Sequence, residues 1–241
     1  MNQPITDPLI VVSDIHLLAE GDSRGKILLA ALQRIDTSAV RYLVLLGDIF
    51  DFCFGASRYF QHKFAQIGKE LTRLSLHGVE VIYLQGNHEF ALKNLPWPGV
   101  QLSAATSHLI RLGDTRIALT HGDLLGAPWH YRWYRRFSRS FVFKSAGLAL
   151  PQGFLDRLAL SISRKSRKQG MTRKIDHRNI ISHMRAWYLQ QGCDHGIVGH
   201  FHIPYQLHES RGELLCLESW DRPNYLAFGE GKFRRVYLDP E

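Results

Sequence analysis

Short aliphatic runs alternate with stretches of helical periodicity in the first half of the chain. The runs "LIVVS" (9–13), "YLVLL" (42–46) and "VEVIYL" (79–84) are almost continuously apolar, which predicts short strands buried on both faces. Residues 26–35 and 58–77 carry apolar side chains three or four positions apart, which predicts helices. This alternation of strand and helix predicts an α/β fold.

The second half of the chain has a different pattern. Residues 108–119 and 225–238 each consist of two alternating runs around a glycine-containing turn, so each predicts a β-hairpin. Residues 175–191 predict a helix, and the short apolar run 196–198 that follows predicts another strand.

A segment rich in Lys and Arg, residues 128–174, interrupts this α/β pattern, and we call it the basic segment. It contains twelve Lys or Arg and one acidic residue, a net charge of +11, whereas the whole chain has +8. Its mixed apolar and cationic sequence predicts an inserted helical lid on a single domain that spans residues 1–241. An ordinary peripheral helical pair with a solvated charged face is the alternative. The charge predicts an anionic partner: a phosphorylated substrate, an acidic membrane surface or a nucleic acid.

Composition indicates the size of the core, the cellular compartment and the state of the cysteines. The 241 residues are 45% hydrophobic, which suits one globular domain with a sizeable core. The chain begins without a leader-like pattern and contains no run of 18 apolar residues, so we expect a cytoplasmic protein. Cys53, Cys193 and Cys216 share no CxxC spacing, which favours reduced, buried thiols over disulfides or a thiolate zinc site.

Polar residues capable of binding metal follow five predicted strands directly. They occur in "SDIH", "GD", "GNH", "HGD" and "GHFH", and the seven candidate ligands are Asp14, His16, Asp48, Asn87, His121, His200 and His202. Loops at the carboxyl ends of strands in an open α/β sheet converge on one crevice, so we expect these side chains to meet.

The types of these residues predict a centre for two divalent metal ions that share one carboxylate. Mixed nitrogen and oxygen ligands without thiolates suit Mn²⁺, Fe²⁺, Zn²⁺ or Co²⁺ better than Ca²⁺ or Mg²⁺. The glycines in the same loops allow the backbone to turn sharply beside the metals and an anionic ligand.

The series "SDIH", "GDIFD", "GNHE", "HGD" and "GHFH" resembles the calcineurin-like metallophosphoesterase superfamily across nearly the whole chain. The resemblance implies a four-layer αββα sandwich that holds two metals. By matching position it implies two ligand sets that share Asp48: Asp14, His16, Asp48 and His202 for the first metal, and Asp48, Asn87, His121 and His200 for the second.

A two-metal site of this kind predicts attack on phosphorus by a water or hydroxide that bridges the ions. His88 then has a predicted catalytic role, either protonating the leaving oxygen or hydrogen-bonding the developing charge. Glu89 is predicted to orient the His88 imidazole, and Asp51 to brace a ligand.

Within the superfamily, the chain is most similar to the UDP-2,3-diacylglucosamine pyrophosphatases of lipid A biosynthesis. The similarity rests on chain length, on "GDIFDF" and "GNHEF", on the hairpin before "HGD" and on the basic segment. It implies manganese-dependent cleavage of a nucleotide-linked lipid at the inner membrane surface. Five residues of the basic segment become candidates for substrate binding: Tyr131, Arg164, Arg167, Lys168 and Lys174. The aliphatic runs of that segment fit an acyl groove and the lid's own small core equally well.

The chain departs from that family at two positions. The family usually has arginine at the position of His88, and an acidic pair where this chain has "GAPWH" after "HGD". The scaffold therefore carries over more directly than the substrate, and another lipid-linked or nucleotide diphosphate is an alternative.

Two other classes of function remain open. A nucleic-acid phosphodiesterase would use the +11 charge to follow a phosphate backbone and Trp129, Tyr131, Trp133 and Tyr134 to stack bases, although it has no need of the aliphatic runs. A non-catalytic relative that binds a protein partner would be expected to have incomplete metal loops, whereas all seven candidate ligands are present here.

Overall fold

The structure is a computed structural model that describes residues 3–140, 143, 145, 161 and 176–238. Most of the basic segment therefore lies outside the described residues. In the described part, thirteen strands form two large sheets and one short pair, and five α-helices accompany them. No described helix combines the length and the apolar character needed to cross a bilayer.

The first sheet has six strands and contains the parallel strands predicted from the aliphatic runs. Its spatial order is β13 (Lys232–Tyr237), β12 (Asn224–Gly229), β1 (Leu9–Val12), β2 (Tyr42–Leu45), β4 (Glu80–Leu84) and β6 (Gln101–Ser103). Strands β1, β2, β4 and β6 are parallel, while β12 pairs antiparallel with β1 and forms the predicted hairpin with β13.

The second sheet has five strands and contains the other predicted hairpin. Its order is β10 (Tyr205–Glu209), β11 (Gly212–Cys216), β9 (His195–Val198), β8 (Thr115–Thr120) and β7 (His108–Leu112). Strands β8, β9 and β11 are parallel, so their carboxyl ends lie at one edge. A separate pair joins β3 (Cys53–Phe54) to β5 (Glu89–Phe90).

The helices confirm the predicted periodicity with one correction. They are α1 (Ser23–Gln33), α2 (Arg58–Lys63), α3 (Ala65–Leu76), α4 (Trp129–Ser138) and α5 (His177–Gln191). The single helix expected over 58–77 is two helices, because Phe64 leaves the helical region with φ −119° and ψ 31°. Asp22 and Asp176 cap α1 and α5 by accepting a hydrogen bond from the backbone N–H three residues later.

Three buried apolar clusters show how these elements are layered. One joins α1 and α3 to the first sheet through Leu28, Leu71 and Leu43. A second, with Val44 and Ile197, joins the facing sides of the two sheets, and a third joins α5 to the outer side of the second sheet. The order of layers is therefore helix, sheet, sheet, helix, the αββα sandwich that the resemblance implied.

The sandwich explains the aliphatic runs and corrects one expectation. In β1, Ile10 and Val12 face the helical layer while Leu9 and Val11 face the other sheet, so every position is buried. The predicted meeting of five loops in a single open sheet is wrong in one respect, because two of those loops come from a second sheet. The three cysteines are free and buried, as predicted.

Candidate metal centre

The seven candidate ligands lie at the shared edge of the two sheets. The donor atoms of Asp14, His16 and His202 lie within 4.8 Å of one another, and so do those of Asp48, His121 and His200. The Asn87 amide oxygen is 3.2 Å from Nε2 of His121, and the Asp48 Oδ2 is 3.5 Å from the same nitrogen. We call these two sets the first group (Asp14, His16 and His202) and the second group (Asp48, Asn87, His121 and His200).

Asp14 joins the loops of the two sheets. Its Oδ2 accepts hydrogen bonds from the Ser13 hydroxyl at 2.6 Å and from the His200 backbone N–H at 2.9 Å, and its Oδ1 lies 3.2 Å from His202 Nε2. Burial raises the pKa of Asp14, but the hydrogen bond from His202 and the charge of His121 outweigh it and hold the pKa below its ordinary value. The carboxylate is therefore ionised at neutral pH.

The tautomer of His121 follows from its partner. Its Nδ1 lies 2.8 Å from the carbonyl oxygen of Leu46, which can only accept, so Nδ1 carries a proton. Nε2 then points towards Asn87 and Asp48, as it must in order to bind an ion.

The second group attracts positive charge. Burial lowers the pKa of the His121 imidazole, but the Asp48 carboxylate more than reverses this and raises the pKa to about 10. Burial and the charge of His121 lower the pKa of His200 to about 4, so that imidazole is neutral. In the first group, the buried Nδ1 of His16 has no hydrogen-bond partner among the described residues. Buried carboxylates, a neutral imidazole and a buried ring nitrogen without a hydrogen bond in the described part of the chain together fit divalent cations.

The backbone is strained at most of these positions. Seven described non-glycine residues have φ between 49° and 65°, and five of them are candidate ligands: Asp14, His16, Asp48, His200 and His202. Each such conformation costs about 1–3 kcal/mol and tends to persist at functional sites, where the surrounding structure enforces it. Among the glycines, Gly47 and Gly86 are required by close approach, because a Cβ on either would collide with His121 or Asp48, respectively.

Glu89 is fully buried beneath the loops, where its carboxylate accepts five hydrogen bonds. Oε1 accepts from the backbone N–H groups of Ile49 and Phe50 and from the Tyr83 hydroxyl, and Oε2 accepts from those of Asp48 and Gly86. Burial and the charge of Asp48 raise the pKa of Glu89 to about 6, against the effect of the donors. These bonds join the loops that carry Asp48 and Asn87.

His88 is oriented by a group that differs from the expected one. Its Nδ1 lies 2.7 Å from the carbonyl oxygen of Asp51, whereas Glu89 had been expected to fix the ring. Its Nε2 lies 3.9 Å from Asp48 Oδ2, and its ring meets that of His16 edge to face at 4.9 Å. Burial lowers the pKa of His88, but Asp48 and the bond to Asp51 produce a net rise, which favours a protonated ring.

The predicted substrate residues are only partly described. Tyr131 lies on α4 and donates from its hydroxyl to Asp123 Oδ2 at 3.1 Å, and burial together with that carboxylate raises its pKa. Arg164, Arg167, Lys168 and Lys174 lie outside the described residues. The basic segment begins with helix α4, as a helical lid would require. The rest of the predicted lid lies outside the described residues, so that part of the prediction stays untested.

Two residues near the centre were not predicted. Arg135 of α4 is buried beside Asp123, and its only sequence signal is its place one helical turn after Tyr131. Trp220 follows β11 and donates from its backbone N–H to the Asp14 carbonyl at 3.4 Å. It was missed because β10 and β11 were not predicted.

The comparisons with known proteins agree with this geometry. A family model described as calcineurin-like phosphoesterase matches residues 8–204. A UDP-2,3-diacylglucosamine hydrolase of Haemophilus ducreyi is 28% identical in a 230-residue alignment that covers 92% of this chain and 96% of that protein. One of Neisseria meningitidis serogroup B is 26% identical in a 217-residue alignment that covers 88% of this chain and 90% of that protein. A solved structure, a predicted phosphoesterase of Streptococcus pneumoniae, aligns with a TM-score of 0.43 and 15% identity over 97% of this chain and 90% of that one.

Proposed function

Because this chain belongs to the calcineurin-like phosphoesterase family and is a hydrolase of phosphate ester bonds, we propose that it uses two divalent ions to cleave the pyrophosphate of a nucleotide-linked lipid of the UDP-diacylglucosamine class. The observation that carries the proposal is the convergence of the first and second groups, with Asp48 between them. The relatives named as UDP-2,3-diacylglucosamine hydrolases support this class of substrate.

The two groups have distinct proposed roles. The first group, together with Asp48, holds one ion and the second group holds the other. When bound, the two ions supply a water of lowered pKa and neutralise charge on the phosphoryl group. We favour Mn²⁺, with Fe²⁺, Zn²⁺ and Co²⁺ as alternatives for these ligands.

His88 is the proposed proton donor. The Asp51 carbonyl fixes Nδ1 as the protonated nitrogen, which leaves Nε2 as the atom that faces the reacting centre. When the ring is protonated, Nε2–H donates to the phosphoryl oxygen or to the leaving oxygen. The raised pKa keeps a larger fraction of the ring protonated near neutral pH than in a free imidazole.

An activity panel tests the reaction and its substrate. The purified chain is supplied with Mn²⁺ and given UDP-diacylglucosamine, other nucleotide diphospho-lipids, cyclic nucleotides or single-stranded DNA. We expect release of nucleoside monophosphate from a nucleotide diphospho-lipid, with Asp48→Ala as the inactive control. Hydrolysis of DNA alone would refute the proposed substrate in favour of the nucleic-acid phosphodiesterase. A complete lack of metal-dependent hydrolysis would favour a non-catalytic protein.

We also propose that α4 contacts an anionic membrane surface. Trp129, Trp133 and Phe137 are spaced four residues apart on one face of α4 and are 74%, 67% and 56% exposed, respectively. Arg132 and Arg136 flank that stripe and are exposed as well. Exposed Trp beside Arg suits the interface between headgroups and acyl chains, where the ring is partly buried and the cation meets phosphate.

Vesicle sedimentation tests the membrane contact. We expect the chain to sediment with phosphatidylglycerol-containing vesicles and the double variant Trp129→Ser, Trp133→Ser to remain in the supernatant. The exposed Leu76→Ser on α3, away from α4, is a matched control that should sediment like the wild type. Equal sedimentation of the double variant would contradict this role for α4.

A further inference from the structure

Helix α4 is docked by polar side chains and exposes aromatic ones, the reverse of the usual arrangement of a surface helix. Tyr131, Arg135 and Arg139 are spaced four residues apart and make its inward contacts. Arg135 is 1% exposed. Burying a guanidinium costs several kcal/mol, and well-packed apolar side chains often replace buried ion pairs without loss of stability. Docking the helix therefore does not by itself require a cation at this position.

The contacts of Arg135 lead to the second group. Its Nε lies 2.5 Å from Asp123 Oδ2, and its Nη2 donates to the carbonyl oxygen of Gly86 at 2.9 Å. Gly86 directly precedes Asn87, and Asp123 lies two residues after His121. The Arg135 side chain thus joins the loop that carries Asn87 to the loop that carries His121.

We propose that Arg135 is a positioning residue for the second group: it holds the loops of Asn87 and His121 in register by binding Gly86 and Asp123 with one guanidinium. It touches neither ion nor substrate in this role and acts through the two loops. The guanidinium forms an ion pair with Asp123 on its Nε side and a hydrogen bond to Gly86 from Nη2, although Nε and Nη1 have no hydrogen-bond partner in the described structure. A lysine ammonium is a point charge and would supply only the ion pair. The inference rests on the proposed two-ion function.

A calorimetric titration tests this proposal: Mn²⁺ is added to the metal-free full-length chain and the heat of binding is measured. We expect two binding events in the wild type. Arg135→Met should keep one event near its wild-type affinity and weaken the other about 10–100-fold, the range for losing a group that orients a metal ligand. Arg135→Lys should recover part of that loss by restoring the charge beside Asp123.

Arg139→Met provides a matched control. Arg139 directly follows the last residue of α4, one turn after Arg135, but bonds the carbonyl oxygens of Ala104 at 2.7 Å and Gln85 at 3.4 Å, so it docks the helix without reaching Asp123. We expect it to lower the unfolding free energy in urea and to leave both Mn²⁺ affinities unchanged. Should Arg135→Met fail to fold, Asp123→Asn removes the same ion pair with almost no change in volume and should weaken the same event.

Each outcome decides a separate question. If Arg135→Met binds both Mn²⁺ ions with wild-type affinity, the positioning role is overturned. It is also overturned if Arg135→Met and Arg139→Met weaken both binding events to the same extent. In either case Arg135 is a helix-docking residue. Fewer than two events in the wild type would overturn the proposed two-ion function, and this inference with it. Selective weakening with partial rescue by lysine would support the inference.

Discussion

Replacing Glu89 by glutamine tests whether this residue organises the loops or takes part in the chemistry. The two side chains have nearly the same shape, so the substitution leaves no cavity and changes only hydrogen bonding. Oε2 of Glu89 accepts from two backbone N–H groups, and Oε1 accepts from two more and from the Tyr83 hydroxyl. An amide has one oxygen, and its NH₂ group can only donate.

The expected loss follows from counting donors. Whichever way the new amide turns, its NH₂ group faces at least two backbone N–H groups that have lost their acceptor. Each buried donor left unsatisfied costs about 1–3 kcal/mol, so Glu89→Gln should lower the unfolding free energy by about 2–6 kcal/mol. The Asp48 N–H is one of the two backbone donors to Oε2. If the NH₂ group of the glutamine takes the place of Oε2, Asp48 should be misplaced and metal binding should weaken too.

Urea unfolding at pH 8, where the Glu89 carboxyl is ionised, measures this loss by linear extrapolation. Tyr83→Phe is the matched control, because it removes one donor and leaves the four backbone bonds in place. We expect that control to lose about 1 kcal/mol, the typical value for one hydrogen bond.

The opposite outcome would support the role expected from the sequence. If Glu89→Gln unfolds within about 0.5 kcal/mol of the wild type, as ordinary surface substitutions do, yet loses turnover, the five-donor argument is refuted. Glu89 would then act on His88 or on the substrate.

Three further predictions concern the metals and the proton donor. Asp48→Ala should bind neither ion, since this carboxylate lies between both groups; retention of two Mn²⁺ ions by elemental analysis would contradict that placement. His88→Ala should bind both ions but turn over about 10²–10⁴-fold more slowly, the contribution of a general acid, and unchanged turnover would remove His88 from the mechanism. Chelation should lower the melting temperature and Mn²⁺ should restore it, because an ion at 100 times its Kd stabilises by about 2.7 kcal/mol per site; an unshifted melting curve would argue against bound ions.

Local patterns predicted the parts of this fold that depend on near neighbours in sequence. Strands β1, β2 and β4 were recognised because both faces are buried, and the hairpins because each contains a glycine turn. Strands β10 and β11 were not predicted, since β10 is an edge strand whose burial alternates weakly. The division into two sheets depends on which strands pair at long range, which periodicity does not reveal.

In the site, too, features that depend on local sequence were predicted, and features that depend on long-range contacts were not. The seven candidate ligands were predicted because strand-end loops and residue type are readable along the chain, and the structure brings them together. The bonding of Glu89 was mispredicted because adjacency to His88 in sequence suggested contact, whereas its carboxylate bonds residues some forty positions earlier. Arg135 was missed because a buried arginine in a highly basic stretch looks like any other cation there.

The division of each ligand set between the two sheets governs when the centre can form during protein synthesis. Asp14 and Asp48 are made early, but His200 and His202 are near the end of the chain, and the contact of Asp14 with His202 spans 188 residues. Closing so long a loop costs chain entropy that only the assembled sandwich offsets. A nascent chain that ends before position 200 lacks a member of both sets, so we expect neither set to be complete until the second sheet has docked against the first.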